Sequence, residues 1–216
     1  MKQIEAKIVV LGSQGVGKTS VVTRYVTQTY KHVSPTIGAS FFTCKVTIGD
    51  YRVKMSVWDT AGQERFRSMA PMYYRKANAA MLVYDISNKD SFDDIKMWVN
   101  ELKKNIDSYV VLCLLGNKCD LSETEREVKT DEAQEYAASI DALFYETSAL
   151  SDIGIQDAFM KVGKKLIDLI ENRPDLHIEG LEQYNIRQNG ELAGNQAEGS
   201  VRLENTTEEK KNCCGR

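Results

Sequence analysis

The sequence predicts an α/β fold in which helices cover both faces of a mostly parallel β-sheet. Two observations predict it. Apolar runs typical of buried strands alternate with amphipathic helical segments, and a glycine-rich loop joins the first apolar run to the first helical segment. Because ligands of such folds bind at the carboxyl ends of the strands, we expect the chemically active residues on the loops at that edge of the sheet.

The first strand, predicted at residues 8–11, leads into residues 12–19, GSQGVGKT, which match the phosphate-loop pattern G-x-x-x-x-G-K-[ST]. The glycines let backbone amides point at a phosphate, Lys18 adds a charge for the outer phosphates, and the Thr19 hydroxyl can ligate Mg²⁺. A helix over residues 19–26 would direct its N-terminus at the same phosphates. The alternative is an ordinary glycine-rich turn, but the order of strand, loop and helix favours a P-loop NTPase fold that binds a nucleoside triphosphate.

The remaining elements predict a six-stranded sheet with one antiparallel edge strand. Residues 41–48 and 51–58 alternate in polarity on either side of a Gly49-Asp50 turn, which predicts an edge hairpin. Nearly continuous apolar runs predict buried parallel strands at residues 79–84, 110–115 and 142–145. Helical spacing predicts helices at residues 91–104, from Thr130 onward, and at residues 153–170.

Composition limits the classes of function. With 216 residues the chain can bury one sizeable core, and its formal net charge of −3 argues against nucleic-acid binding. No apolar run reaches the about 18 residues of a membrane span and the first residues do not resemble a signal peptide, so we expect a cytoplasmic protein.

Cys44, Cys113 and Cys119 lack disulfide or zinc spacing and are predicted to be free thiols.

Two further loops carry residues that suit a nucleotide. Asp59 follows the second hairpin strand and could hold Mg²⁺ through water, and the Gly62 amide is placed to bond a γ-phosphate. The alternative, an ordinary acidic turn, is less favoured with a phosphate loop upstream. In residues 117–120, NKCD, the Asp120 carboxylate can accept hydrogen bonds from N1–H and the 2-amino group of guanine, whereas adenine would leave it unpaired. A backbone amide in residues 148–149 would serve the guanine oxygen.

As a set, these motifs resemble those of Rab proteins, a branch of the Ras superfamily of small GTPases. The resemblance covers about residues 5–171. It is carried by residues 37–41 (IGASF), 58–66 (WDTAGQERF), 73–77 (YYRKA) and 82–87 (LVYDIS). Residues 35–41 (PTIGASF) and 70–75 (APMYYR) look most like the early-endosomal branch.

The resemblance implies a GTPase switch with GTP or GDP and Mg²⁺ as ligands. Thr36 and Gly62 would contact the γ-phosphate, so hydrolysis would release residues 30–41 and 60–77. Gln63 would orient the attacking water, and an arginine from a GTPase-activating protein would accelerate the slow intrinsic reaction. The residues expected to bind nucleotide are Gly15, Val16, Gly17, Lys18, Thr19, Ser20, Tyr30, Thr36, Gly62, Asn117, Lys118, Asp120, Ser148, Ala149 and Leu150. Those expected to hold Mg²⁺ are Thr19, Thr36 and Asp59.

The resemblance also implies protein partners. Residues Ile37, Phe41, Trp58 and Tyr73 would face effectors, although the aromatic residues could instead serve only core packing. Further partners would be a guanine-nucleotide exchange factor, a GTPase-activating protein, a Rab escort protein and a GDP-dissociation inhibitor. We expect a monomer that regulates vesicle or endosomal membrane traffic.

Four features depart from the usual Rab pattern. Gln14 stands where a small residue is usual and would slow stimulated hydrolysis by crowding Gln63. The first switch is one residue shorter, Leu150 replaces a lysine that covers guanine, and Lys76 replaces a glycine without an effect that we can assign. Gln14 keeps a second function open, a GTP-bound scaffold with little turnover. A small-molecule kinase would need an acceptor-binding lid, and it conflicts with Asp120.

The chain is predicted to divide into a GTP-binding domain at residues 1–171 and a flexible tail at residues 172–216, where periodicity is lost. The tail ends in Cys213 and Cys214, which by resemblance would carry geranylgeranyl groups. Two lipids would be needed because Glu208 and Glu209 offset the neighbouring lysines. The protein would then lie on the cytosolic face of endosomal or vesicular membranes. The alternative is a pair of idle thiols.

Overall fold

The computed structural model describes residues 1–31, 33–63, 66, 69–173 and 181, and the backbone of residues 182–185. Strands and helices alternate along it, as the sequence predicts. The strands are β1 (Lys2–Leu11), β2 (Ala39–Ile48), β3 (Tyr51–Thr60), β4 (Ala79–Asp85), β5 (Val111–Asn117), β6 (Ala142–Thr147) and β7 (Glu182–Asn185). The helices are α1 (Lys18–Thr27), α2 (Ala70–Tyr74), α3 (Lys89–Asn105), α4 (Thr130–Ser139) and α5 (Ile155–Asn172), with a 3₁₀ turn at Cys119–Leu121.

The main sheet has the strand order β2-β3-β1-β4-β5-β6. Strand β2 pairs antiparallel with β3, and the other neighbours along this order are parallel. The predicted six-stranded, mostly parallel sheet with one antiparallel edge strand is therefore confirmed. In this register Val10 lies opposite both Asp59 and Met81, so the loops after β1 and β3 begin at the same edge of the sheet.

A seventh strand was not predicted. Strand β7 pairs antiparallel with the first half of β1, with Lys2 opposite Asn185 and Glu5 opposite Glu182. It occupies the side of β1 that β4 does not reach, because β4 begins its pairing with β1 only at Ile8. Strand β7 lies inside the segment predicted to be a flexible tail, and the domain boundary itself stays a prediction.

Apolar side chains pack on both faces of the sheet. Between the sheet and helices α1 and α5, Tyr25 stacks on Phe159 with ring centroids 3.8 Å apart. Between the sheet and helices α2, α3 and α4, Tyr84 meets Phe92 edge-on at 4.9 Å. Strand β4 contributes side chains to both faces and is buried along its whole length, which explains why its sequence is a continuous apolar run.

Some boundaries differ from the sequence expectation. Strand β1 begins at Lys2 rather than residue 8. Residues 3–7 alternate between half-buried and buried positions while pairing with β3, so they do not form a continuous apolar run. Helix α5 begins at Ile155 rather than residue 153, since Gly154 has a left-handed φ of 69° that helical backbone excludes. Helix α2 was not predicted, because its five residues are too short to show periodicity.

The cysteine prediction is confirmed within the described residues, where Cys44, Cys113 and Cys119 are free thiols. Burial raises the pKa of Cys44 to about 11 and that of Cys113 to about 12. Both thiols are thus held in the neutral form at physiological pH, as expected for core residues. Among the helices that the structure describes, none is long and apolar enough to span a membrane.

Candidate nucleotide-binding site

A cavity of about 400 Å³ opens where β1, β3, β5 and β6 end. This volume is within the usual range for small-molecule sites. The residues predicted to bind nucleotide line the cavity, except Val16 and Ser148, which are buried behind its wall. Gln14 and Gln63 also line it. The sequence analysis did not single out four further lining residues, Val33, Ser34, Pro35 and Thr60.

Two glycines of the phosphate loop pack so closely on neighbouring residues that no side chain would fit at their positions. A Cβ atom on Gly12 would lie 2.1 Å from the Val83 oxygen, and one on Gly17 would lie 2.4 Å from Nδ2 of Asn117. Both glycines also have positive φ values, 144° and 93°. Glycine is therefore required at these positions, and the loop presents its backbone to the cavity.

Lys18 is the cation of this loop. Its side chain is buried, and Nζ donates hydrogen bonds to the Gly12 oxygen at 2.9 Å and the Ser13 oxygen at 2.8 Å. Burial lowers the Lys18 pKa to about 8, and the neighbouring Asp59 partly opposes this shift. An anion in the cavity would favour the charged form of this lysine.

Three oxygen-bearing side chains meet beside Lys18. The Thr19 hydroxyl donates to Oδ2 of Asp59 at 2.6 Å and lies 2.8 Å from Oγ1 of Thr36, and the Thr36 hydroxyl donates to the same carboxylate at 3.4 Å. Oδ1 of Asp59 is buried and has no hydrogen-bond partner among the described residues. Burial raises the Asp59 pKa, against the opposing effects of Thr19, Lys18 and Thr36. One carboxylate with two hydroxyls fits Mg²⁺, which usually binds few protein ligands together with phosphates.

The backbone of Gly62 packs on the phosphate loop. A Cβ atom at this position would lie 2.4 Å from Nζ of Lys18 and 2.6 Å from the amide nitrogen of Gln14. The chain after β3 therefore reaches the cavity beside the lysine. Gln63, the predicted catalytic residue, follows directly and lines the same cavity.

Asn117 ties the two halves of the cavity together. Its Nδ2 donates to the Val16 oxygen at 2.8 Å, and Oδ1 accepts a hydrogen bond from the Thr147 hydroxyl at 3.2 Å. Buried polar groups of this kind are hydrogen-bonded because an unpaired one is costly. The side chain thus connects the phosphate loop to the strands that carry the predicted base-binding residues.

The predicted base-binding residues lie at the opposite end of the cavity. The Ser148 hydroxyl donates to Oδ1 of Asp120 and accepts from the Ser151 amide at 2.9 Å, which positions the loop after β6 against the carboxylate. Lys118 has a left-handed φ of 66°, and its Nζ lies 2.6 Å from Oδ2 of Asp85. Asp85, at the end of β4, lies in residues 82–87, which the sequence analysis used only for the family resemblance and did not predict to contribute to the site.

The predicted effector residues form a partly exposed, mostly aromatic surface, in which Trp58 and Tyr73 are half-buried. Phe41 meets Trp58 edge-on with ring centroids 5.2 Å apart, and Trp58 lies 6.0 Å from the Tyr73 ring. Phe41 is 54% exposed and Ile37 79%, so these two side chains are not core residues. The structure brings the four predicted residues onto β2, β3, α2 and the segment that enters β2.

Comparison with known proteins decides the family. The Ras family model matches residues 7–168. Ras-related protein Rab-31 of Rattus norvegicus is 50% identical over 163 residues, which cover 75% of this chain and 83% of that protein. This chain is a Rab protein of the Ras family. Rab-31 of Homo sapiens shows the same identity of 50% over 163 residues, and Ras-related protein Rab-21 of Bos taurus is 48% identical over 164 residues, 75% of this chain and 73% of that protein.

The family membership settles the general activity. This Rab protein is a GTPase that binds guanine nucleotides and acts in membrane trafficking. Like Rab proteins in general, it works with exchange factors, GTPase-activating proteins, GDP-dissociation inhibitors and effectors. The predicted lipidation residues, Cys213 and Cys214, lie outside the described residues.

Proposed function

We propose that this Rab protein cycles between a GTP-bound state that recruits effectors and a GDP-bound state that does not, and thereby regulates endosomal or vesicular membrane traffic. The proposal is carried by the convergence of Thr36 with Thr19 and Asp59. Thr36 lies on the segment that leads into the exposed residues Ile37 and Phe41. A ligand that engages Thr36 therefore acts on the effector-facing surface through adjacent backbone.

Each end of the cavity has its own task in this proposal. Lys18 and the amides of the phosphate loop bind the β- and γ-phosphates, and Gln63 orients the attacking water. Asp120 accepts the two hydrogen bonds of the guanine edge, which rejects adenine because its carboxylate would be left unpaired. Thr19, Thr36 and Asp59 would hold Mg²⁺, which would supply positive charge to the phosphates.

Loss of the γ-phosphate changes the partners of two segments. Thr36 loses its interaction with the phosphate end of the site, and the Gly62 amide loses an acceptor. Both segments adjoin the aromatic surface of Phe41, Trp58 and Tyr73. An effector that packs on these rings would therefore prefer the GTP state, with a difference in affinity set by the cost of ordering the segments.

Membrane attachment is part of the same proposal. Geranylgeranyl groups on Cys213 and Cys214, added with a Rab escort protein, would hold the protein on the cytosolic face of an endosome or vesicle. The proposal follows the predicted domain division at residues 171 and 172, with the tail as a tether. Intact mass after expression in eukaryotic cells tests it, and an unmodified terminus would refute the anchor.

Thr36→Ala tests the switch directly. In the wild type, the GTP analogue should protect residues 33–41 from hydrogen exchange more than GDP does, in buffer with Mg²⁺. Thr36→Ala should remove this difference while GDP binding changes little, because the phosphate loop remains intact. Thr43→Ala is the matched control, since Thr43 is exposed on β2 outside the cavity. A variant that keeps the full difference between the two nucleotides would refute the role of Thr36.

A second function, a GTP-bound scaffold with little turnover, is favoured by one observation. Gln14 lines the same cavity as Gln63, and in this second proposal its side chain would crowd the entry of an activating arginine. Gln14→Ser should raise single-turnover GTP hydrolysis with a matched activating protein and leave the intrinsic rate little changed. If the activating protein stimulates GTP hydrolysis equally in the wild type and in Gln14→Ser, Gln14 does not crowd the site. The scaffold function would then have no support.

A further inference from the structure

Arg24, in the last turn of α1, contacts two separate segments, residues 28–30 and residues 149–150, with one guanidinium group. Its Nε donates to the Ala149 oxygen at 2.7 Å, Nη2 donates to the Leu150 oxygen at 2.8 Å, and Nη1 donates to the Gln28 oxygen at 3.2 Å. The centre of the guanidinium also lies 6.0 Å from the centroid of the Tyr30 ring. One side chain thus links the loop after β6, the end of α1 and the start of the first switch.

The bonds to Ala149 and Leu150 fix the base end of the cavity from outside. Both residues line the cavity, and Arg24 does not. Because the guanidinium binds the carbonyl oxygens of two successive residues, it fixes the orientation of the two peptide groups that follow Ala149 and Leu150. The backbone beside the base is thereby held in one conformation. The Ser148 hydroxyl, bonded to Asp120 and the Ser151 amide, holds the preceding residue from the other side. The loop is therefore held at both of its ends.

The same guanidinium reaches the first switch. It donates to the Gln28 oxygen and lies near the Tyr30 ring, and Tyr30 lines the cavity, as Leu150 does. Leu150 is 56% exposed and has an aliphatic side chain, so the loop depends on backbone bonds rather than on its own side chain for its position. Displacement of residues 28–30 would therefore disturb the hydrogen bonds that position the base-binding loop.

We propose that Arg24 is a positioning residue that sets how long the nucleotide is retained, by clamping the base-binding loop to α1 and to the start of the first switch. The proposal rests on the proposed function, since it assumes that guanine occupies the end of the cavity beside Ala149. Arg24 acts through the loop and does not touch the nucleotide. An arginine is required because a planar fork can hold several carbonyl oxygens at once, whereas lysine offers a single charged group.

The test is the dissociation rate of a fluorescent GDP from the full-length protein and its variants. Arg24→Gln should release GDP about tenfold to a hundredfold faster, the range expected when one or two charge-assisted hydrogen bonds are lost. Arg24→Lys should fall between the wild type and Arg24→Gln. Arg52→Gln is the control for loss of an arginine, because Arg52 lies near the start of β3, at the far end of that strand from the cavity.

Two further readouts separate positioning from a general loss of structure. EDTA should accelerate GDP release by the same factor in the wild type and in Arg24→Gln, because Mg²⁺ binds at the other end of the cavity. Single-turnover hydrolysis at saturating GTP should also stay unchanged, since Arg24 does not line the cavity and its hydrogen bonds to residues that do lie at the base end. A variant that is altered in all three readouts is generally disordered, and that result would overturn the proposal.

The remaining outcomes also decide the matter. A GDP dissociation rate within twofold of the wild type in folded Arg24→Gln would overturn the clamp. If Arg24→Gln does not fold, Arg24→Lys decides, and a rate equal to that of the wild type would overturn the need for a forked donor. Failure of the proposed function looks different, because the wild type would then show equal hydrogen exchange of residues 33–41 with GDP and with the GTP analogue, whatever the GDP dissociation rate of Arg24→Gln.

Discussion

At the scale of single residues, the site contains polar groups whose bonding is incomplete without a ligand. Oδ1 of Asp59 is buried without a hydrogen-bond partner in the described part of the chain. Nζ of Lys18 is buried and its pKa is lowered to about 8, mainly by desolvation. Since an unpaired buried oxygen and a desolvated buried cation are both costly, these two features indicate that this end of the cavity is built to receive charged ligands.

The identity of one carboxylate should decide which base is bound. In Asp120→Asn, an amide group that donates hydrogen bonds replaces one of the two carboxylate oxygens that would accept from guanine. Loss of a charge-assisted hydrogen bond costs about 1.5–3 kcal/mol, so we expect GDP to bind about tenfold to a hundredfold more weakly. Competition against a fluorescent guanine nucleotide measures the change, and ADP should compete as poorly as before.

Glu123→Gln is the control for the Asp120 variant, because Glu123 is an exposed acid just beyond the same motif and does not line the cavity. Its GDP affinity should equal that of the wild type. Should Asp120→Asn bind GDP as tightly as the wild type, Asp120 would not be the residue that selects guanine.

At the scale of elements, some of the structure is visible in local patterns. The phosphate loop, the β2–β3 hairpin and the motif of residues 117–120 were predictable because each depends on residues close together in the chain. Strands β4 and β5 were predictable because burial on both faces demands continuous apolar runs. The predicted cavity edge follows from this topology, since every parallel strand delivers its loop to the same side.

Other contacts have no local pattern. The sequence shows Arg24 only as a charged residue on a predicted helix. Its contact with Ala149, 125 positions later in the chain, depends on the tertiary fold. The ion pair of Lys118 with Asp85 likewise joins the ends of two neighbouring strands. Strand β7 has only four residues, too few to show a periodic pattern. It forms because β4 leaves one side of the first half of β1 unpaired, and this vacancy in the pairing is a property of the fold.

Strand β7 should protect the first half of β1. Truncation after Arg173 should speed the hydrogen exchange of those amides in residues 2–5 that face β7, because their partners are removed. The amides of residues 8–10, between β3 and β4, should exchange as before. Exchange measured peptide by peptide gives the comparison.

Truncation after Asn185 is the control for this comparison, because it keeps β7 and removes only the residues beyond it. Its exchange in residues 2–5 should match that of the full chain. If both truncated proteins protect residues 2–5 equally, β7 does not contribute to the sheet in solution.

At the scale of the whole molecule, the sheet gathers residues from distant parts of the chain around one cavity. The proposed phosphate end combines Lys18 and Thr19 with Asp59, and the proposed base end combines Asp120 with the loop after β6. Asn117 connects the two ends through the phosphate loop. The segments that carry Thr36 and Gly62 line the cavity, and they adjoin the partly exposed aromatic surface.

The most direct test of this account is hydrogen exchange of the full-length protein loaded either with GDP or with a non-hydrolysable GTP analogue, each with Mg²⁺. The account predicts that the analogue protects residues 33–41 and 60–63 more strongly, while residues of β4, β5 and α5 exchange equally in both states. Identical exchange throughout the chain in the two states would contradict the claim that the γ-phosphate controls the effector-facing surface.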